Sequence, residues 1–249
     1  MLLATDFDGT LAPIARTPSE AVLPVETRTL LRRLAVCEGV HLAIISGRAL
    51  ADVRLHVGIE NIFFAGNHGL ELAGPGVELH HPNASKAHSE LEKAVSLLVE
   101  KTATLPGVFV EYKGPTAAIH WRLAAEKVRE ALREIVTDAV ATSSRLQLVA
   151  GHCVWELRPK GGWNKGDALR HLATRLGCAP GDVLYIGDDT TDEDAFQVVK
   201  SGLTFRVGVP AVETVARYRM RDAADVQSFL LCLLGIRSGQ SLPKTALAS

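Results

Sequence analysis

A chain of 249 residues with 47% hydrophobic side chains can bury a large core, as one big domain or as a core plus a cap, which excludes disordered and fibrous classes. With 27 Lys and Arg against 28 Asp and Glu, the formal net charge of -1 offers no basic field for nucleic acid or an anionic membrane, so a small molecule is the expected partner. The four cysteines, Cys37, Cys153, Cys178 and Cys232, sit far apart in apolar contexts without a C-x-x-C pair, as expected of buried thiols in a reducing cytosol. The first residues lack a basic, cleavable leader, and no apolar run reaches the roughly 18 to 20 residues that span a bilayer, so a soluble, cytoplasmic protein is expected.

The chain opens on a short apolar run, residues 1–4, followed by Asp6-Phe7-Asp8-Gly9-Thr10. Such a run, closed by carboxylates and a glycine, predicts a buried parallel strand delivering two acids at its carboxyl end, where open α/β sheets place their sites. Acids at i and i+2 start on one side of an extended chain. One can attack as a nucleophile while the other handles a proton, and a divalent cation would quench their repulsion. A strand end running into an Asx-type turn would use the same residues.

Leu30, Leu31 and Leu34 predict a helix over 26–37, stopped by Gly39, and residues 40–45 form a second apolar strand ending in Ser46-Gly47-Arg48. Ser46 can donate to a phosphate oxygen or cap a helix over 49–56, whereas Arg48 offers a planar fork for an anion or sugar. A third strand over 62–65 leads into the turn Gly66-Asn67-His68-Gly69. A hairpin then joins 70–72 to 77–80 around Gly74-Pro75-Gly76.

From about residue 85 the pattern changes to helix (85–103), strands (108–113 and 118–122), helix (124–141) and strands (146–149 and 153–158). Two helix-strand-strand units predict an inserted α+β cap over 83–160, with 1–82 and 161–249 forming the core. Alternation places Val108, Val110 and Tyr112, then Ile119 and Trp121, then Cys153, Trp155 and Leu157 on one face. The opposite face takes Glu111 with Lys113, His120 with Arg122, and Glu156 with Arg158. A sheet with one wet face shows this alternation, and so does a lid that grips a hydroxyl-rich ligand.

After Gly161-Gly162, Lys165 stands in the first turn of a helix, where a cation is unfavourable against the dipole and hints at an anionic partner. The strand over 183–186 ends in Gly187-Asp188-Asp189, with Asp192 close behind. Oxygen ligands from separate strand ends are what Mg2+ needs. A fifth core strand over 203–207 and a helix over 224–234 complete the fold, followed by a polar tail over 237–249 expected to fray.

As a set, Asp6-Phe7-Asp8-Gly9-Thr10, Ser46, Lys165 and Gly187-Asp188-Asp189 with Asp192 resemble the four dispersed motifs of the haloacid-dehalogenase superfamily of phosphoryl-transfer enzymes. More closely, residues 6–13, Ser46-Gly47-Arg48, Gly66-Asn67-His68-Gly69, Glu111-x-Lys113, His120-Trp121-Arg122, Glu156-Leu157-Arg158-Pro159 and 187–196 resemble the trehalose-6-phosphate phosphatase family, over most of 2–234. The resemblance implies an α/β, Rossmann-like parallel-sheet core with an inserted α+β cap, and hydrolysis of trehalose 6-phosphate by a free-standing phosphatase. It implies Asp6 as nucleophile, Asp8 as acid and base, and Ser46 and Lys165 holding the transferring phosphoryl oxygens. Mg2+ would be held by Asp6, the Asp8 main-chain carbonyl and Asp188, with Asp192 binding directly or through water. The cap would close as a lid on the sugar, with Glu111, Lys113 and Glu156 as its main contacts and Arg48, Asn67, His68, His120, Arg122 and Arg158 as further ones. Phosphatases of other sugar phosphates such as sucrose 6-phosphate, phosphomutases and non-catalytic sensors share parts of this pattern. A monomer is the default expectation.

Overall fold

The structure, a computed structural model, describes residues 1–141, 143–151, 153–209 and 211–239. Its elements run β1 (Leu2–Thr5), α1 (Val25–Ala35), β2 (His41–Ile45), α2 (Leu50–Val57), β3 (Phe63–Gly66), β4 (Glu71–Gly74) and β5 (Val77–His80). There follow α3 (Pro82–Thr102), β6 (Phe109–Tyr112), β7 (Ala117–His120), α4 (Glu126–Ala141), β8 (Leu146–Gly151) and β9 (Val154–Pro159). The chain ends with α5 (Lys165–Arg175), β10 (Val183–Gly187), α6 (Glu193–Val198), β11 (Leu203–Val207), β12 (Tyr218–Met220) and α7 (Ala223–Arg237). Two compact units result, one of Met1–Leu79 with Trp163 onward, the other of His80–Gly162.

In the first unit the strands lie in the order β12-β11-β10-β1-β2-β3-β4-β5. They run parallel from β12 to β3, and β4 turns back antiparallel on β3. β1 is central and buried along its whole length, as a short, uninterrupted apolar run requires when both sheet faces are covered. Leu30, Leu31, Leu34, Val53, Val226 and Leu230 pack one face through α1, α2 and α7. Ala168, Leu169, Leu172, Ala195 and Phe196 pack the other through α5 and α6. A fully buried leucine such as Leu31 or Leu172 contributes about 1.5 to 3 kcal/mol. Because β1 pairs with β2 on one side and β10 on the other, the segments after all three strands emerge together at the carboxyl edge. β12 has no counterpart in the sequence reading. It is a three-residue edge strand with Tyr218 and Arg219 exposed, too short to show alternation.

The second unit is an antiparallel sheet in the order β6-β7-β9-β8. α3 and α4 cover one face, where Leu91, Leu98, Leu132 and Val136 meet Ile119, Leu146 and Leu157. β7 stops at His120, so Arg122 lies exposed in the following turn and not on the strand face the alternation suggested. Likewise Cys153 has φ +60° and belongs to the turn before β9. The Asn83 side chain donates to the Lys160 and Gly161 carbonyls at 2.9 and 3.0 Å, tying together the two chain segments that bound this unit. Among the described residues no helix is long and apolar enough to cross a membrane. Most of the predicted frayed tail, 240–249, lies outside the described residues.

Candidate active site

β1 ends where the Asp6 backbone N–H donates to Ile186 O at 2.9 Å, so the Asp6 side chain is fixed between β1 and β10. Gly9 makes the turn beyond it at φ +79°, and a Cβ there would stand 2.1 Å from Asp188 Oδ2; only glycine lets this turn approach Asp188. Thr10 donates its hydroxyl to Asp188 Oδ1 at 3.0 Å. One carboxylate oxygen each of Asp6, Asp188 and Asp192 falls within 4.8 Å of the others.

Lys165 enters this acidic cluster from the first position of α5, a helix opened by a reciprocal Asn164–Asp167 capping box. Its ammonium lies 2.9 Å from Asp6 Oδ1 and 2.7 Å from Asp192 Oδ1, almost fully buried. Burial disfavours the charged lysine, but Asp192 and then Asp6 outweigh that and hold its proton affinity above the ordinary lysine value. Burial is also the largest influence on Asp6. Together with the charges of Asp192, Asp188 and Asp8 it overcomes Lys165 and pushes the Asp6 carboxyl well above the usual range. Asp188 is pushed up to about 6 by burial and then by Asp192. A single ammonium shared among these carboxylates leaves net negative charge in a largely buried site, which is the environment a divalent cation neutralises. Asp6 and Asp188 therefore fit such an ion.

Asp192 is occupied differently. Its Oδ1 accepts from Lys165 Nζ and, at 2.6 Å, from the Tyr185 hydroxyl, while its Oδ2 accepts from the Asp188 and Asp189 backbone N–H groups at 3.0 and 2.9 Å. Fully buried, it acts as the hub that ties Lys165, β10 and the 188–189 turn together. Arg206 on β11 braces the same turn from outside, donating to Asp189 O and Glu193 Oε1, both at 2.9 Å.

Ser46 follows β2 and is buried. Its hydroxyl accepts from Arg48 N at 3.2 Å and makes no cap on α2, which starts at Leu50 after Ala49. Asn67 N donates to Arg48 O at 2.7 Å and His68 N to Ser46 O at 2.9 Å, so the loops after β2 and β3 are laced together. The His68 ring packs on Gly47, where a Cβ would meet it at 2.6 Å, and the fully buried Asn67 amide donates to Glu71 Oε2 at 2.6 Å. Arg48 grips Asp8 with two parallel bonds, Nε to Oδ2 at 2.7 Å and a terminal nitrogen to Oδ1 at 2.8 Å. It also donates to Asp52 Oδ2 and Pro18 O, both at 2.6 Å. The fork expected for an anion or sugar is thus engaged by protein carboxylates, which outweigh burial and strengthen its hold on the proton.

In the second unit, register puts Phe109 opposite His120, and Glu111 and Glu156 on either side of Ala118. His120 Nε2 and Glu111 Oε2 are 2.8 Å apart, Lys113 Nζ stands 3.4 Å from Glu156 Oε1, and Arg158 Nε donates to Glu156 Oε2 at 2.7 Å. Phe109 stacks on the His120 ring. This face carries Glu111, Lys113, His120, Glu156 and Arg158 in one linked group, without Arg122.

Thr10 enters the sequence reading only as part of the Asp6–Thr10 motif, and Tyr185, Asp52 and Arg206 are absent from it. Tyr185 and Arg206 carried a usable signal, a polar atom inside a buried strand, which must find a partner there. Asp52 looks like an ordinary helix residue until the chain folds.

A central parallel strand that ends in Asp6, flanked by Ser46, Lys165 and Asp188 from neighbouring connections, is the haloacid-dehalogenase class of fold. A family model described as trehalose-phosphatase matches residues 4–224. The chain is 37% identical over 244 residues to probable trehalose-phosphate phosphatase 4 of Oryza sativa subsp. japonica, with 94% of this chain covered. It is 36% identical over 246 residues to trehalose-phosphate phosphatase B of Arabidopsis thaliana, with 92% covered. It spans 66% and 65% of the lengths of these two relatives. The solved C-terminal domain of C. albicans trehalose-6-phosphate phosphatase superimposes with a TM-score of 0.81 at 25% identity, covering 94% of this chain and 92% of that one. The chain belongs to the trehalose-phosphatase family.

Proposed function

We propose that this protein is a phosphatase that hydrolyses trehalose 6-phosphate to trehalose and phosphate through an aspartyl-phosphate on Asp6. The observation that carries the reading is the buried Lys165 ammonium held between Asp6 and Asp192 beside Asp188: a nucleophilic carboxylate next to preorganised positive charge. Membership of the family supports the choice of sugar.

In the first step an Asp6 oxygen attacks phosphorus as the ester P–O bond breaks, and the leaving sugar oxygen takes a proton from Asp8. In the second, water gives a proton to Asp8, attacks the same phosphorus and frees Asp6 with release of phosphate. Lys165 and the Ser46 hydroxyl hold the phosphoryl oxygens. Since both Asp8 oxygens accept from Arg48, Asp8 has to exchange that pair for the sugar oxygen before it can donate, and Arg48 sets where it starts from. Mg2+ would be held by the Asp6 carboxylate, the Asp8 main-chain carbonyl and Asp188, and when bound neutralises charge on the phosphoryl oxygens. Asp192, with all its oxygens engaged, supports this arrangement from behind. Glu111, Lys113 and Glu156 recognise sugar hydroxyls by exchanging their mutual contacts for the ligand's, with His120 and Arg158 holding them in place.

The test is Mg2+-dependent phosphate release from trehalose 6-phosphate, sucrose 6-phosphate and glucose 6-phosphate, with Asp6→Asn as blank. Strong preference for the trehalose ester is expected. Preference for another ester overturns the sugar assignment and leaves the chemistry, whereas no release from any ester overturns both.

A further inference from the structure

Tyr185 is a fully buried phenol on β10, a strand otherwise made of Val183, Leu184, Ile186 and Gly187, and the chemistry above gives it no part. Its ring stands edge-on to Phe196, centroids 5.7 Å apart at 71°, so the hydroxyl is aimed and cannot wander. That hydroxyl donates to Asp192 Oδ1 at 2.6 Å, the same oxygen that accepts from Lys165 Nζ at 2.7 Å.

We propose that Tyr185 is a positioning residue that governs how much of the Lys165 charge reaches the transferring phosphoryl group, by sharing Asp192 Oδ1 with that lysine. The inference rests on the reading of Lys165 as a phosphoryl contact. Asp192 Oδ2 is fixed by the Asp188 and Asp189 backbone N–H groups, so the carboxylate cannot rotate to redistribute its load. With the phenol present, part of the negative charge on Oδ1 is spent on the O–H, and Lys165 remains balanced between Asp192 and Asp6 Oδ1, 2.9 Å away. Without it, Oδ1 acts on Lys165 alone and draws the ammonium toward Asp192 and away from the reacting end. A hydrogen bond that only satisfied a buried hydroxyl would affect folding and leave affinity for a transition-state shape untouched.

Tyr185→Phe keeps the ring and removes the donor. With MgCl2 present, the readouts are kcat and KM on trehalose 6-phosphate, and calorimetric Kd values for orthovanadate, which mimics the five-coordinate phosphoryl group, and for inorganic phosphate. The expected result is kcat and vanadate affinity both reduced about tenfold, KM within about twofold and phosphate affinity reduced less than about threefold. A fall in kcat at unchanged vanadate Kd reports fewer folded molecules and overturns the proposal, as does no change in either. Phe196→Leu should lower the melting temperature and keep the vanadate Kd; an equal loss of vanadate affinity there also overturns it. If Tyr185→Phe does not fold, uniform replacement of tyrosine by 3-fluorotyrosine, a stronger donor of nearly the same shape, should tighten vanadate, and unaltered binding counts against the proposal. Wild-type protein that binds vanadate but spares trehalose 6-phosphate would defeat the substrate assignment alone, because the vanadate comparison would still read Tyr185. Wild-type protein that binds no vanadate defeats this inference as well.

Discussion

The two units each hold a linked group of acids and bases, built from similar side chains and placed in different surroundings. At the end of the parallel sheet, the Lys165 and Asp192 side chains are 3% and 0% exposed, and each is gripped by several elements. On the cap sheet, Glu111 and His120 are 29% and 25% exposed while Lys113 and Glu156 are 8% and 11%, with contacts that run between neighbouring strands of one face. The deep cluster pays its desolvation in advance and becomes rigid and strongly perturbed in proton affinity, as Asp6 and Asp188 show. The cap group grades from the largely buried Lys113 and Glu156 side chains, which meet at a long 3.4 Å, to the part-exposed Glu111 and His120, so the proposed polyhydroxyl ligand would replace its looser bonds at less cost. The number and tightness of the contacts, more than burial alone, separate the two groups: Asp192 is held by four donors at 2.6 to 3.0 Å, whereas Lys113 and Glu156 meet at 3.4 Å.

The sharpest way to break this comparison is Asp6→Asn. Turnover should fall by at least about 10^4-fold with circular dichroism and melting temperature retained, because the proposed nucleophile goes while Lys165 keeps Asp192. Substantial residual turnover would remove Asp6 from the mechanism. Lys165→Ala should abolish turnover and also destabilise the fold by about 3 to 5 kcal/mol in urea, since it strands buried carboxylates. On the cap, Lys113→Ala or Glu156→Gln should raise KM for trehalose 6-phosphate about tenfold with kcat within about threefold, and leave hydrolysis of a small aryl phosphate unaltered. A large loss of kcat with the aryl ester would erase the distinction between the two clusters.

Proton linkage sharpens the same point. Asp188 is raised from 3.8 to about 6 in the folded state, so the metal-free fold takes up protons on acidification. This contribution to stability is fully present below the unfolded value and is lost as pH rises through about 6, a swing of about 2 to 3 kcal/mol. Mg2+ held as proposed would compete with those protons, so a larger rise in melting temperature on adding Mg2+ is expected at pH 7.5 than at pH 5. An equal rise at both would place the ion away from Asp188. The smallest effect is expected at Arg122: Arg122→Ala should alter KM and kcat by less than about twofold, since its side chain stands exposed in a turn off the sheet face.

Much of this was legible in the sequence because it depends on local rules. An apolar run too short for a helix, closed by Asp6-Phe7-Asp8-Gly9, leaves few options besides a buried strand with acids at its tip, and β1 is that strand. Lys165 in a first turn was conspicuous as a cation against the helix dipole. Local rules do not reach every element. β12 is too short for a period, and the alternation of residues 118–122 continues past the end of β7 at His120 into the turn that holds Arg122.

Side-chain engagement was out of reach for a different reason. Arg48 and Asp8 are 40 positions apart, Lys165 and Asp192 are 27 apart, and Thr10 and Asp188 are 178 apart, so their pairing exists only once the parallel sheet has set its strand order. Sequence by itself determined which chemical groups this protein owns and that they stand at strand ends. Tertiary structure alone decided who holds whom: that Arg48 faces Asp8, that Asp192 is saturated by Lys165, Tyr185 and two backbone N–H groups, and that Asp6 and Asp188 are left with surplus negative charge. The physical reason is that burial and partner geometry, which set the energy of every charge in the site, are properties of the packed chain and of no segment within it.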